Sequence, residues 1–408
     1  MRIEREWCEP MDLSTEQQAI LRGEKGTLLQ KCMQTLVKYG DFFNAQKLIP
    51  TKSAHLVLSG GSIILRTYLG ILENMTAEGI QFAVPTTVNP RLTMEHLGIV
   101  QKIAQRYLFQ KDNQFRHHFK KMGGIETYSC TPYLGDNTPQ QGDILAWAES
   151  NAVIFANSVL GAKTNRNSGI IDLISAVLGV TPLMGLLLDK NRRANWEIIV
   201  DAEEIDYAVL GYVIGEKVKD GIPYIKGLHS TADDFKNMGA AMAASGGVGL
   251  YHIEGVTPEA VQVKDALLLP DCQTLTVTDS LLKKVQENLG HGRKKVKTVF
   301  LGCPHLSYTE LVHVTKLLEG CRTKKGVNLW MNSSPSAIGK FNQSDYFEEF
   351  EKTGAVLMSL CPLAFLQLPS LRNRWILTNS GKLRYYAPVY YAPLKECLRE
   401  AVGGDING

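Results

Sequence analysis

Three cysteines occur where a buried strand is expected to end in a loop. They are Cys130, followed two residues later by Pro132, and Cys303 and Cys361, each followed directly by a proline. A proline at these places ends regular structure and leaves the sulfur facing a cavity. Three thiolates from distant segments can hold iron and leave a coordination position open for a substrate oxygen. That arrangement suits a metal-assisted enzyme that removes water from its substrate.

The spacing of these cysteines does not establish a metal site by itself, because no Cys-x-x-Cys pair is present. The chain has eight cysteines in all. Those that fall in predicted helices are interpreted as small buried hydrophobic residues, and two others fall in predicted loops. The helical group is Cys32, Cys321 and Cys397, and the loop group is Cys8 and Cys272.

Two ionisable residues near these motifs are candidates for proton transfer. Glu149 falls in the apolar stretch 143–160, which predicts a buried helix, and it has no basic partner at helical spacing. A buried carboxylate is costly, so Glu149 is either an acid–base group or is paired elsewhere in the fold. His305 follows Cys303 by two residues, and it is interpreted either as a catalytic group or as a buried structural histidine.

A polar pair, Asn165 and Arg166, follows the same apolar stretch. One interpretation is a solvated helix end, since cations are favourable at the C-terminus of a helix. The other is a clamp for a carboxylate or a phosphate, because arginine binds such groups with two parallel hydrogen bonds. The density of polar residues around the pair slightly favours the clamp.

The order of predicted strands and helices indicates an α/β fold with parallel sheets. Strands are predicted over 56–58, 82–84, 196–200, 207–214, 297–302 and 354–360, and helices over 14–39 (interrupted at Gly23 and Gly26), 93–122, 143–160, 307–320 and 344–352. In such folds ligands collect beyond the carboxyl ends of the strands. Cys303, Cys361, Thr86 and Thr87 follow predicted strands, and the segment 53–55 lies just before one.

Composition limits the class of protein. With 408 residues the chain is long enough for two or three lobes. Its 44 basic and 41 acidic residues leave a formal net charge of +3, which gives no case for nucleic-acid binding. There is no run of about 18 apolar residues to predict a membrane span. The N-terminus has no apolar signal region, so a cytoplasmic protein with reduced cysteines is expected.

Other motifs give weaker signals. The glycine-rich runs around Gly61 and Gly249 do not match nucleotide-binding fingerprints. The basic run from Arg293 to Lys297 lacks interleaved aromatic residues, so it is interpreted as a solvated turn.

A colinear series of motifs runs through the chain from residue 12 to residue 402. It comprises Leu48-Ile49-Pro50 with Ser53-Ala54-His55, Pro85-Thr86-Thr87-Val88-Asn89-Pro90, Cys130-Thr131-Pro132-Tyr133-Leu134, Trp147-Ala148-Glu149-Ser150, Ala156 to Arg166, His252 to Ala260, Gly302-Cys303-Pro304-His305 and Thr378-Asn379-Ser380-Gly381-Lys382. In this series the chain resembles the catalytic large subunit of the aconitase X family.

The resemblance implies an α/β, aconitase-like fold in which several lobes with parallel or mixed sheets surround a central iron site. Cys130, Cys303 and Cys361 would hold the iron, either as a 2Fe–2S or 4Fe–4S cluster or as mononuclear iron. A separate small swivelling subunit would complete the site. The expected division is an N-terminal extension 1–11, a catalytic module 12–402 with lobes of roughly 12–190, 191–290 and 291–402, and a tail 403–408 that is expected to be frayed.

The resemblance also implies roles for residues in the matching motifs. Glu149, His305 and Lys382 would be catalytic. The substrate would be bound by Ser53, His55, Thr86, Thr87, Asn89, Asn157, Ser158, Thr164, Asn165, Arg166 and Ser380.

The family dehydrates small hydroxy acids, and the expected substrate is cis-3-hydroxy-L-proline. Mevalonate 5-phosphate is the alternative, and it would need extra basic groups, for which Lys163 and Arg192 are candidates. A third possibility is a non-catalytic iron-binding or regulatory subunit. It arises because Ser359 and Leu360 precede Cys361, where the family usually has Asp-Thr. Lys163 is a second departure, since the family usually has arginine there.

Overall fold

The computed structural model describes residues 11–57, 62–91, 99–135, 137–292, 295–363 and 375–407. Several features of the sequence analysis lie outside the described residues: residues 1–10 of the predicted N-terminal extension with Cys8, Leu58 of a predicted strand, Gly60 and Gly61, residues 93–98 of the predicted helix 93–122, Arg293 and Lys294, and Gly408.

The N-terminal segment forms two helices, α1 (Thr15–Leu21) and α2 (Thr27–Phe42). Ser14 begins α1, because its hydroxyl accepts a hydrogen bond from the backbone N–H of Gln17. The predicted interruption is confirmed as a complete break. Gly26 precedes α2 with a φ of +102°, a conformation that side chains other than glycine rarely adopt.

The first part of the chain builds a four-stranded parallel sheet and a two-stranded antiparallel ribbon. The strands are β1 (Leu48–Pro50), β2 (Ser53–Leu56), β3 (Thr86–Val88), β4 (Ile144–Trp147), β5 (Lys163–Thr164) and β6 (Val180–Pro182). The sheet has the order β3-β2-β4-β5, and β1 pairs with β6. The helices of this part are α3 (Ser62–Ala77), α4 (Ile99–Lys121), α5 (Ser150–Ser158) and α6 (Gly169–Leu178).

Three predictions in this part were wrong in detail. The first half of the predicted helix 143–160 is strand β4, because a strand buried on both faces of a parallel sheet is as apolar as a buried helix. The predicted strand 82–84 is displaced to β3, since the N–H groups of Phe82 and Ala83 donate to the carbonyls of Met122 and Ala176. Strand β2 begins at Ser53, three residues before the predicted strand at 56.

The middle of the chain builds a second parallel sheet in the order β10-β7-β8-β9. Its strands are β7 (Ala194–Asp201), β8 (Pro223–Lys226), β9 (His252–Ile253) and β10 (Leu268–Thr278), and its helices are α7 (Tyr207–Val218), α8 (Ala232–Ser245), α9 (Pro258–Val263) and α10 (Asp279–Gly290). The predicted strand 207–214 is the helix α7. Asp206 starts that helix by accepting hydrogen bonds from the N–H groups of Ala208 and Val209, 3.1 and 3.2 Å away. Cys272, predicted in a loop, lies in β10.

The last part builds a third parallel sheet in the order β13-β12-β11-β14-β15. Its strands are β11 (Thr298–Leu306), β12 (Asn328–Ser333), β13 (Val356–Met358), β14 (Ile376–Thr378) and β15 (Tyr390–Tyr391), and its helices are α11 (Tyr308–Leu317), α12 (Pro335–Asn342), α13 (Phe347–Thr353), α14 (Gly381–Tyr386) and α15 (Leu394–Val402). The predicted strands 297–302 and 354–360 and the helices 307–320 and 344–352 are confirmed. Short 3₁₀ helices lie at Pro132–Leu134, Gly185–Leu187, Asp189–Asn191 and Lys264–Leu267.

The tail was predicted to be frayed, and up to Asn407 this was wrong. The backbone N–H of Asn407 donates to the carbonyl of Leu317 at 3.0 Å, and its side-chain amide donates to the carbonyl of Glu319 at 2.7 Å. These two hydrogen bonds hold the C-terminal segment against the end of α11.

Each sheet is drawn from one continuous stretch of chain, and we propose on this basis that the protein is built from three lobes with boundaries near residues 190 and 290. The carboxyl ends of β2, β3 and β4 in the first lobe face those of β11, β13 and β14 in the third. Within the described residues, no helix has the length and apolar character needed to cross a membrane.

Candidate active site

A cavity of about 190 Å³ lies between the first and third lobes. Much of its wall comes from segments that follow parallel strands, which is where α/β folds place their ligands. The described lining residues are Val57, Asn89, Pro90, Cys130, Ala148, Glu149 and Ser150 from the first lobe, and Gly302, Cys303, Leu360, Cys361, Pro362, Leu363, Lys382 and Tyr386 from the third.

The three cysteines singled out from the sequence all line this cavity. Cys303 lies in β11 and Cys361 follows β13, whereas Cys130 precedes the 3₁₀ turn Pro132–Leu134. The sulfur of Cys130 accepts a hydrogen bond of 3.3 Å from the backbone N–H of His305, which ties the first lobe to the third. The structure therefore brings together three thiols that are distant in sequence.

Burial keeps two of these thiols protonated. It raises the pKa of Cys303 to about 12, and it raises the pKa of Cys130 further, with the negative charge of Glu149 adding to the effect. Lys382 acts in the opposite direction on both sulfurs. A bound cation would provide the positive charge that such buried thiolates need, so metal binding should release protons.

Glu149 and Lys382 form a buried ion pair on the cavity wall. Burial alone would raise the pKa of Glu149, but the charge of Lys382 and hydrogen bonds from Lys382 and Asn89 outweigh it, so this pKa lies below its usual range. Burial alone would lower the pKa of Lys382, yet Glu149 raises it above its usual range. Both side chains therefore keep their charges inside the protein.

The predicted helical position of Glu149 was wrong, whereas the partner that its burial requires is present. Glu149 does not lie inside a helix, because it is the extended residue that precedes α5. The partner it requires is Lys382, from α14 on the far side of the cavity.

A chain of hydrogen bonds runs from this ion pair into the first lobe. The amide of Asn89 donates to Glu149 at 2.6 Å, so its oxygen is left to accept from Nε2 of His55 at 2.8 Å. The hydroxyl of Thr87 lies 2.7 Å from Nδ1 of His55, and the amide of Asn137 donates to that hydroxyl at 2.9 Å. Burial lowers the pKa of His55 to about 4, which keeps the ring neutral with its proton on Nε2.

Lys382 also connects the ion pair to Cys130. Its ammonium donates to the side-chain oxygen of Asn151 at 3.0 Å. The amide of Asn151 in turn donates to the carbonyl of Cys130 at 2.8 Å and to the hydroxyl of Tyr133 at 3.2 Å. The position of Cys130 is thus linked to that of the ion pair.

His305 lies beside the cavity but does not line it. Its ring is fully buried, with Nε2 3.3 Å from the carbonyl of Leu360. Its Nδ1 has no hydrogen-bond partner among the described residues. Burial lowers its pKa to about 4. The ring of His305 is therefore neutral, and its Nε2 bonds the backbone rather than a group in the cavity.

Ser380 contacts the site indirectly. Its hydroxyl donates to the carbonyl of Cys303 and accepts from the N–H of Leu383 at 2.9 Å, so it connects Cys303 to the start of α14.

The structure does not bring the other expected substrate-binding residues to the cavity. Most of them bind backbone or neighbouring side chains in the first lobe and around its junction with the second. The hydroxyl of Ser53 accepts a hydrogen bond from the indole of Trp147, and that of Thr86 donates to the carbonyl of Val84. The side chain of Asn157 binds the backbone of Thr164 and Gly249, and the hydroxyl of Ser158 accepts from the N–H of Tyr251. The side chain of Asn165 binds the backbone of Met184 and Leu186. Arg166 is exposed.

Neither cation suggested for a phosphate group lines the cavity. Lys163 pairs with Asp189 at the surface. Arg192 is buried, and it pairs with Glu259 at 2.6 Å.

The sequence analysis missed Asn332, which is the last residue but one of β12 and is fully buried. Its side chain binds the backbone immediately before Cys303 and Cys361. A polar residue at the carboxyl end of a strongly apolar strand was the available signal, since that end of a parallel strand faces ligands.

Thiol donors in a cavity with a nearby cation fit the chemistry of iron, which takes thiolate ligands in iron–sulfur centres. The thiols are suitable donors for iron, but they are not yet arranged as ligands of one metal ion. Across the described ranges, no group of three or more histidine, cysteine, aspartate or glutamate side chains is arranged to hold a metal ion. The donor set fits the group, and the thiols must adjust when it binds.

Family models cover almost the whole chain in chain order. The aconitase X first domain matches residues 10–190, the second domain matches 191–287 and the third domain matches 296–403. The chain belongs to the aconitase X family. A crystal structure of aconitase X from Thermococcus kodakaraensis, described as the holo-form, superposes with a TM-score of 0.85 at 34% identity and covers 96% of this chain and 100% of that one. The aconitase-like α/β fold is thereby confirmed.

Aconitase X relatives with described activities are dehydratases. The phosphomevalonate dehydratase large subunit of Methanocaldococcus jannaschii is 35% identical over 97% of this chain and 98% of that protein. The corresponding large subunit of Thermococcus kodakarensis is 37% identical over 92% of this chain and 95% of that protein. The cis-3-hydroxy-L-proline dehydratase of Pseudomonas aeruginosa is 31% identical, but this chain spans 69% of its length. The chain is accordingly a hydro-lyase.

Family membership and the names of the relatives support the general form of two further expectations, on the cofactor and on the partner. Membership of an aconitase-type family implies iron or an iron–sulfur group as the cofactor. The words "large subunit" in the names of the relatives imply a small-subunit partner.

Proposed function

We propose that this chain is the large subunit of an iron-dependent dehydratase that removes water from a small 3-hydroxy carboxylic acid. The observation that carries the proposal is the cavity in which Cys130, Cys303 and Cys361 face the buried pair of Glu149 and Lys382. A small swivelling subunit would close this cavity and add the base that removes the proton next to the carboxylate.

The three cysteines would hold the iron, which would supply a Lewis acid for the departing hydroxyl group. Lys382 would attract the substrate carboxylate, since it is the cation among the described lining residues. Glu149 would lose part of its countercharge as the substrate carboxylate approaches Lys382. Its pKa would then rise, and Glu149 could hold the proton that the leaving hydroxyl needs.

Mevalonate 5-phosphate is the substrate we propose to test first. The relatives named for it match this chain from end to end, covering 95% and 98% of their lengths in the two cases above. The hydroxyproline dehydratases are less similar to this chain, at 31% and 29% identity, and this chain spans 69% of their lengths.

A specific observation favours cis-3-hydroxy-L-proline as a second candidate. Lys382 is already paired with Glu149, and Lys163 and Arg192 are paired away from the cavity. The described lining therefore offers no further cation for a phosphate. A partner subunit that supplied such a cation would reverse this argument.

The test is a reconstituted complex of this chain with its small subunit, loaded with iron and sulfide without oxygen and assayed against both acids. We expect dehydration of one of them, detected by mass spectrometry. Spectroscopy of the loaded complex would determine whether the centre is a cluster or mononuclear iron.

Cys303→Ala should lose iron and turnover together. Cys397→Ala is the matched control, because Cys397 is also buried but lies in α15 and does not line the cavity. Normal turnover by the Cys303→Ala complex would refute the metal role. An iron-loaded wild-type complex that converts neither acid would support a regulatory subunit instead.

A further inference from the structure

Asn332 connects the two cysteine segments of the third lobe. Its side-chain amide donates to the carbonyls of Gly302 and Leu360, at 2.8 and 3.1 Å, and its side-chain oxygen accepts from the N–H of Leu360 at 2.9 Å. Gly302 and Leu360 immediately precede Cys303 and Cys361. One fully buried side chain therefore binds the backbone directly before two of the three cavity cysteines.

The backbone of Gly302 is shaped to accept this contact. Gly302 has a φ of +103°, and a Cβ atom at this position would lie 2.0 Å from the carbonyl oxygen of Asn332. Only glycine allows β11 to approach the end of β12 so closely. The pairing of β11 with β12 also becomes irregular between Leu301 and Leu306, which is the segment that presents Cys303.

His305 extends this connection to the third cysteine. Its Nε2 lies 3.3 Å from the carbonyl of Leu360, which already accepts from Asn332. Its backbone N–H donates to the sulfur of Cys130 at 3.3 Å. The carbonyl of Leu360 is thus the point where the contacts from Asn332 and His305 meet.

We propose that Asn332 is a positioning residue that sets the spacing of the cavity cysteines. His305 connects Cys130 to the same network of hydrogen bonds. The spacing is a property of the chain itself. Its consequence for iron binding rests on the proposed function. Outer partners that orient metal ligands commonly change metal affinity about 10–100-fold when they are replaced.

The chemistry of the contact requires an amide at this position. Asn332 donates to two carbonyls and accepts from one N–H, and these bonds use its two amide hydrogens and its oxygen. An ionised carboxylate of the same shape would place an oxygen against the carbonyls of Gly302 and Leu360. Asn332→Asp should therefore push the two cysteine segments apart with no change in side-chain size.

The first experiment measures spacing in the full chain after removal of metal by a chelator. Dibromobimane bridges pairs of thiols that lie close together, and peptide mapping identifies the bridged pair. We expect a bridge between Cys303 and Cys361 in the wild-type protein and a yield reduced several-fold in Asn332→Asp. Asn332→Ala, which introduces no charge, provides the same test if the aspartate variant does not fold.

Ser333→Ala is the matched control. Ser333 is the next residue of β12, it is also fully buried, and its hydroxyl donates to the carbonyl of Leu306 rather than to a residue beside a cysteine. We expect its bridging yield to equal that of the wild type. Absence of the bridge in the wild type, or an unchanged yield in folded Asn332→Asp, would overturn the proposal.

The second experiment titrates iron into the same proteins. We expect iron to bind about 10–100-fold more weakly to Asn332→Asp, and normally to Ser333→Ala. If bridging responds to Asn332 but no protein binds iron, the spacing role stands and the proposed metal function falls. If iron binding is unchanged in Asn332→Asp, the spacing set by Asn332 does not affect the metal, and the proposed consequence for iron binding is wrong.

Discussion

Glu149 and Lys382 remain charged in the interior because each is the countercharge of the other. Either charge alone would be unstable at its position, since the loss of hydration costs roughly several kcal/mol per ion. The pair also faces the cavity, so a substrate carboxylate can compete with Glu149 for Lys382. A buried pair that a ligand can divide is suited to proton transfer.

Only part of this pair could be recognised in the sequence. Glu149 stood out because a carboxylate in an apolar stretch needs an explanation. Lys382 entered only through the family resemblance, and its contact with Glu149 was not predicted, because the two residues are 233 positions apart and sequence spacing carries no information about such a contact. The same limit hid Asn332, whose bonds reach residues 28 and 30 positions away.

Asp172 is a buried carboxyl outside the site, and it makes stability depend on pH. It lies in α6 with no exposed surface, and its Oδ2 has no hydrogen-bond partner among the described residues. Burial raises its pKa from 3.8 to about 7, although a hydrogen bond from Asn167 opposes the shift.

The folded state therefore holds this proton up to about pH 7, whereas the unfolded chain releases it near 3.8. The stabilising contribution is complete below the lower value and is lost as the pH rises toward 7. A shift of about three units corresponds to at most about 4 kcal/mol. In Asp172→Asn we expect this dependence to disappear.

The measurement is the free energy of unfolding in urea at several pH values for wild type and Asp172→Asn. Only the difference between the two proteins is informative. The buried histidines His55, His252 and His305, whose pKa values fall to about 4, give the wild type a slope of the opposite sign in the same range. A difference that stays constant from pH 4 to pH 7 would show that Asp172 does not titrate there.

At the scale of elements, an apolar run predicts that an element is buried, but it does not always decide between strand and helix. The run 297–302, whose residues in β11 are all buried, is confirmed as a strand, whereas two other apolar runs were assigned wrongly. The stretch containing Ile144 to Trp147 and the helix α7 are both apolar on nearly all sides. Hydrophobic periodicity cannot distinguish a buried strand from a buried helix in such runs.

Gly302 tests whether the irregular end of β11 is required. Gly302→Ala adds a Cβ that meets the backbone of Asn332 at a positive φ, so both strain and overlap are expected. Gly320→Ala is the control, because Gly320 has a φ of +74° with nothing within 4 Å of the added atom.

We expect Gly320→Ala to lower the free energy of unfolding by about 1–2 kcal/mol through its backbone conformation alone. Gly302→Ala should cost at least about 1–3 kcal/mol more, because packed backbone must move. Thermal and urea unfolding of the two variants would measure the difference. Equal losses would mean that β11 can withdraw from β12 without cost.

At the scale of the whole molecule, buried charged side chains connect the lobes. Lys236 with Glu310 joins the second and third lobes, and Lys382 with Glu149 joins the third and first. Arg192 pairs with Glu259 inside the second lobe. The guanidinium of Arg192 also donates to the carbonyl of Asn157 at 3.0 Å. The junction between the third and first lobes is the one whose ion pair lines the cavity.

This arrangement predicts that stability and activity can be separated. Glu149→Gln and Glu259→Gln each leave a buried cation without its countercharge, and breaking such a pair costs up to about 3–5 kcal/mol. Both variants should therefore lose stability. Glu149→Gln should in addition lower turnover about 10²–10⁴-fold, since it removes the proposed proton carrier.

Glu259→Gln should keep wild-type turnover at temperatures well below its unfolding transition, because Glu259 lies in α9 and does not line the cavity. The comparison uses the reconstituted complex, with unfolding followed by circular dichroism and turnover by mass spectrometry. A Glu149→Gln complex as active as Glu259→Gln would assign Glu149 to the junction alone. Proton delivery by the partner subunit would then be the next hypothesis to test.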